Sequence, residues 1–126
     1  MTDSFDDLLA ANREYASTHE LSGFDGIAHA GVAVVTCMDS RIDPLRLVGL
    51  KPGDAKIFRN PGGRVTDAAL EALVLGVHLL GVKRILIIPH TRCATPSNPA
   101  RVNVSAKAWL ATSRSSNDRS MVFLSH

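Results

Sequence analysis

Cys37, His90 and Cys93 are the residues of this chain best suited to hold a metal ion together. His90-Thr91-Arg92-Cys93 sets an imidazole and a thiol three residues apart, close enough to grip one ion from a single turn. Cys37 supplies a second sulfur. Two thiolates and one ring nitrogen suit the borderline-soft Zn²⁺, one per chain, which favours tetrahedral sites and leaves a fourth position for water or a carboxylate. Asp39 is the natural occupant or neighbour of that position. Two thiolates also cancel the charge of the ion, so water at such a site is less acidified than beside three histidines, and a nearby acceptor and cation help. Asp39 and Arg41, two residues apart, face the same side of an extended or turning segment, where the guanidinium holds the carboxylate ionised by a bidentate pair. Each piece also has a plainer reading. A cysteine closing a strand is often a buried structural thiol, His-x-x-Cys arises by chance, and Asp39 and Ser40 suit a turn that bonds its own backbone.

The flanking sequence supplies elements able to bring these groups together. A helix is expected from about Phe5 to Ala16, capped by Asp3 or Ser4, followed by a loop over residues 17–30. The β-branched run Val32 to Thr36 reads as a buried strand that delivers Cys37 directly. Asp43-Pro44 starts a short helix that ends near Gly49, and a second strand is expected at about Ala55 to Phe58. Thr66 or Asp67 caps a long helix closed by Gly81, apolar on nearly every side and so expected to be buried on more than one face, by a sheet and by a second subunit. Arg84 to Ile88 is a third strand, and Pro89 stops it before His90. Helix and strand alternate, which predicts an α/β domain with a parallel-core sheet flanked by helices. If the second and third strands lie on opposite sides of the first, a switch point opens between the first and third, and Cys37 and His90 both arrive there.

Other residues carry weaker expectations. Arg59, Asn60, Gly62 and Gly63 read either as an anion-accepting loop or, more simply, as a tight turn with glycine supplying positive φ. His78 on the apolar helix reads as a core or subunit-contact residue, Asp43 as a cap, and Trp109 as a packing anchor.

Composition narrows the classes. The 126 residues suffice for one domain, and 45% apolar with 21% charged residues are the proportions of a globular protein. A net charge of +2 with scattered Lys and Arg argues against nucleic acid. The N-terminal stretch has acids where a leader needs positive charge, and the apolar run around Leu70 to Leu80 is too short to span a bilayer. A cytoplasmic location is the expectation, with no membrane partner. There two cysteines are thiols or metal ligands rather than a disulfide.

At the site residues the chain resembles a known family. Cys37-Met38-Asp39-Ser40-Arg41 looks like the C-x-D-S-R motif of β-class carbonic anhydrases, and His90-Thr91-Arg92-Cys93 looks like their H-x-x-C. The stretch KIFRNPGGRVTDAALEALVLGVHLLGVKRILIIPHTRC is similar to their R-N-x-G loop, long helix and strand in order, and the likeness runs from about Leu8 to Cys93. It implies reversible hydration of carbon dioxide to bicarbonate and a proton, with Cys37, His90 and Cys93 as zinc ligands and Asp39 and Arg41 as the catalytic dyad. It also implies a homodimer or higher homo-oligomer. Beyond Cys93 the family's Gly, further helix and closing strand are not matched, so residues 1–93 read as the domain and 94–126 as a truncated or divergent tail, with a short helix over 103–112 and a strand at Met121 to Leu124 as its expected elements. Three readings stay open on the sequence: an active enzyme, a zinc-binding member that turns over weakly or not at all, and a small α/β binding module with structural cysteines.

Overall fold

The computed structural model describes residues 4–90 and the backbone of 120–123. The elements run α1 (Asp6–Ser17), β1 (Val32–Cys37), α2 (Pro44–Leu47), β2 (Ala55–Asn60), α3 (Asp67–Leu79), β3 (Arg84–Ile88) and β4 (Ser120–Phe123). Every strand pair is parallel and the order is β2-β1-β3-β4. The strands that follow β1 in the chain thus lie on its two sides, and the switch point falls between β1 and β3 as expected. β4 sits one residue earlier than expected. The boundary expected after residue 93, the helix over 103–112 and Trp109 lie outside the described residues.

A strand paired on both edges and covered on both faces is largely apolar, and all six residues of β1 are buried, the one polar side chain, Thr36, donating to Ile88 O at 3.0 Å. Its alternate residues serve opposite faces. Ala33 and Val35 join Ile85 and Ile87 of β3 under Ala69, Leu73 and Val77 of α3. Val32 and Val34 join Ile88 on the other face, where Val48, Leu50 and Leu86 pack against them. Ala69, Leu73 and Val77 recur at helical spacing, and each of the two larger side chains contributes about 1.5–3 kcal/mol by leaving water.

Local chemistry sets the helix ends. Asp43 caps α2, its carboxylate accepting from the Arg46 amide at 3.3 Å, with Pro44 at the first helical position. Thr66 Oγ1 accepts from the Ala69 amide at 3.2 Å and caps α3, and Gly81, at φ +76°, turns the chain out of it. Three expectations need correction. Phe5, not Asp3 or Ser4, occupies the N-cap of α1, although Ser4 Oγ lies 3.4 Å from the Asp6 amide. β2 runs to Asn60 because its ladder with β1 continues to the level of Cys37. The core reading of His78 falls, since it is exposed in the single chain, as are Leu75 and Leu79 of the same helix. No helix among the described residues is long and apolar enough to cross a membrane.

Candidate metal centre

Cys37 is the last residue of β1 and is 2% exposed. The ladder carries one step past it, the Met38 amide donating to Asn60 O at 3.0 Å, so the strand holds the cysteine almost to the tip. Its Sγ accepts a hydrogen bond from the Gly62 amide at 3.2 Å.

That amide is available because the 60–64 segment is folded tightly against the strand ends. Asn60 closes it with its own amide group, donating to Arg64 O at 2.6 Å and accepting from the Arg64 amide at 2.8 Å. Gly63, at φ +65°, lies so close that a Cβ there would stand 3.0 Å from the Cys37 amide nitrogen, Ile88 O and Thr36 C. Only glycine combines that φ with that approach. The tight-turn reading of Gly62 and Gly63 therefore holds. Arg59 does not line an anion loop: its Nε donates to Cys37 O at 2.8 Å, and its Nη2 donates to Asp39 O at 2.7 Å and Ile42 O at 3.2 Å.

Asp39 and Arg41 form the pair expected from their spacing. Arg41 Nε donates to Oδ1 at 3.0 Å and Nη2 to Oδ2 at 2.7 Å, and the Arg41 amide adds a bond to Oδ1 at 2.9 Å. The guanidinium bonds hold the Asp39 carboxyl well below the usual carboxylate range, the Arg41 amide lowers it further, and burial opposes them without prevailing. The carboxylate is therefore ionised at any pH near neutral.

His90 follows Pro89 beyond the end of β3, on the strand next to that of Cys37. Its side chain is 7% exposed and Nε2 lies 3.9 Å from Asp39 Oδ2, too far for a hydrogen bond. Nε2 is buried and has no hydrogen-bond partner among the described residues. An orphaned buried ring nitrogen is costly unless something absent from the chain itself completes it. Cys37 and His90 offer a sulfur and an imidazole, donors of the kind zinc takes, from adjacent strands, although among the described residues no three His, Cys, Asp or Glu side chains are grouped to hold an ion. Cys93 lies outside the described residues. The structure thus brings Cys37, Asp39, Arg41 and His90 to the carboxyl end of β1 and β3. Sequence reasoning missed the Gly62 amide on Cys37 and the reach of Arg59, because both depend on how β2 registers with β1.

The chain is similar to known proteins. The family profile described as carbonic anhydrase matches residues 32–121. Beta-carbonic anhydrase 1 of Mycobacterium tuberculosis is 40% identical over 92 residues, covering 70% of this chain and 53% of that protein. A carbon disulfide hydrolase of Saccharolobus solfataricus is 43% identical over 60 residues, covering 48% of this chain and 29% of that protein. Among solved structures, the carbonic anhydrase of Streptococcus mutans superposes with a TM-score of 0.69 at 36% identity, covering 94% of this chain and 72% of that one. The chain spans about half the length of the curated carbonic anhydrases it matches. With its strand order, its Cys-x-Asp-Ser-Arg turn and its buried histidine, the chain belongs to the β-carbonic anhydrase family.

Proposed function

We propose that the chain catalyses the reversible hydration of carbon dioxide to bicarbonate and a proton, a lyase reaction, with one Zn²⁺ held by Cys37, His90 and Cys93. The observation that carries this reading is the orphaned, buried Nε2 of His90 facing the Asp39–Arg41 pair at the end of the strand beside Cys37. Bound there, zinc would supply the Lewis acidity that makes water a nucleophile near neutral pH. Asp39 works as an acceptor. Held ionised by Arg41, it accepts a hydrogen bond from water at the site and so orients the lone pair toward carbon dioxide. Because its carboxyl is held far below neutrality, it does not retain the released proton, which passes to buffer. A reducing cytoplasm suits a site that needs Cys37 as thiolate.

A homodimer is part of the same reading. Phe5, Leu8 and Leu9 of the α1 region and Leu75 and Leu79 of α3 are large apolar residues left in water by the single chain. Such surface is the kind that a second copy covers.

Two assays test the proposal. Metal analysis is expected to find zinc near one equivalent per chain, lost in Cys37→Ser; metal-free protein with an unchanged fold would leave only the binding module. Stopped-flow mixing of zinc-loaded protein with carbon dioxide at alkaline pH is expected to show turnover, abolished in Cys37→Ser. The similarity to a carbon disulfide hydrolase supplies the competing substrate, so carbon disulfide is assayed alongside. Turnover of carbon disulfide alone, or of neither substrate, defeats the assignment.

A further inference from the structure

The Asp39–Arg41 pair lies within one loop. Its two guanidinium bonds and the Arg41 amide bond join residues two apart, and the Ile42 amide donates to Asp39 O at 3.1 Å, again inside the loop. These contacts make the turn rigid as a unit. By themselves they do not determine where that unit stands relative to His90.

Anchorage comes from the neighbouring strand. Arg59 lies on β2, level with Thr36 in the β1 ladder. From there its guanidinium reaches over the end of β1 and takes the carbonyls of Cys37, Asp39 and Ile42 at 2.8, 2.7 and 3.2 Å. Three carbonyl dipoles converging from a six-residue stretch repel one another unless a cation sits among them. A planar guanidinium with donors in a rigid fork satisfies all three; a point-charge ammonium does not match that geometry. The same side chain therefore grips the loop before its turn, within it and after it.

We propose that Arg59 is the positioning residue of this site: by binding the carbonyls of Cys37, Asp39 and Ile42 it sets the Asp39 carboxylate at its place beside His90. Arg59 acts through the backbone carbonyls it holds. Cys37 loses one carbonyl bond with Arg59 but keeps its strand pairing and the Gly62 amide on its sulfur. Loss of Arg59 thus displaces Asp39 more than Cys37. The catalytic half of this inference rests on the carbonic anhydrase reading; the anchoring half does not.

The test compares full-length Arg59→Gln and Arg59→Lys with the parent, all zinc-loaded. In Arg59→Gln, hydrogen exchange at the Arg41 and Ile42 amides is expected to quicken about tenfold or more, the change that loss of a charged hydrogen bond brings. Exchange in the β1 and β3 ladders stays as in the parent, which a general loss of stability would not allow. Turnover number for carbon dioxide falls by roughly 100-fold, the scale of a misplaced catalytic group, while KM and zinc content hold. Arg59→Lys falls between Gln and parent in both readouts. Parent-like exchange at Arg41 and Ile42 in Arg59→Gln overturns the proposal; if that variant does not fold, parent-like exchange in Arg59→Lys does so. Because exchange is read without turnover, a parent lacking carbon dioxide activity sinks the functional reading and leaves the anchor decided by the exchange data.

Discussion

At the scale of single residues, the site works by dividing two guanidinium groups between two tasks. Arg41 meets the Asp39 carboxylate, while Arg59 meets the backbone that carries it. Their different partners make different predictions. A carboxyl whose folded pKa lies below its unfolded value adds stability that is complete above about pH 4 and is lost as pH falls through the folded value. The stability gap between parent and Arg41→Ala is therefore expected to be widest above about pH 5 and to close on acidification, read by denaturant titration across a pH series. A gap that does not change with pH contradicts the pair. Carbon-detected NMR of metal-free Arg41→Ala is expected to find Asp39 titrating higher than in the parent, because the guanidinium bonds are lost while the residue-41 amide bond remains. Much of this pair was legible in the sequence, since residues two apart meet through a local turn. The role of Arg59 was not. It reaches carbonyls 17 to 22 residues away, and no spacing rule in a single sequence reports which carbonyls a guanidinium finds across a parallel ladder.

At the scale of elements, strands deliver the site and a glycine turn seals it. β1, α3 and β3 were legible because β-branched runs, a threonine cap and Gly81 mark them locally. Less legible was where β2 stops. Arg59 and Asn60 read as loop by type, yet tertiary pairing with β1 draws them into the ladder. That extension presses the next turn against Cys37. Gly63→Ala is expected to destabilise the protein by about 1–3 kcal/mol, since it adds a methyl against three backbone atoms at a positive φ. It should also weaken zinc retention, because the Gly62 amide then moves away from the Cys37 sulfur. Denaturant unfolding and competition with a chelator measure the two effects. A variant with parent stability and parent zinc affinity shows that the turn has room to give.

At the scale of the whole molecule, the apolar surface left on α1 and α3 sets the expectation for assembly. Leu8 is 60% and Leu79 67% exposed in the single chain. In a monomer, Leu8→Glu or Leu79→Glu changes stability by no more than about 0.5 kcal/mol. Where a second copy covers these faces, each substitution buries a charge, and sedimentation velocity is expected to show the variants shifted to monomer. Parent protein that sediments as a monomer removes the dimer from the functional reading. The 12-residue α1 carries the argument one step further, since among the described residues it buries none of its side chains. Isolated helices of that length are marginal in water. In the proposed dimer, ordering of this segment would be linked by mass action to the encounter of two chains. If the proposed dimer forms, the far-ultraviolet helical signal of α1 is expected to fade on dilution while that of the sheet persists, a change circular dichroism across a concentration series would read.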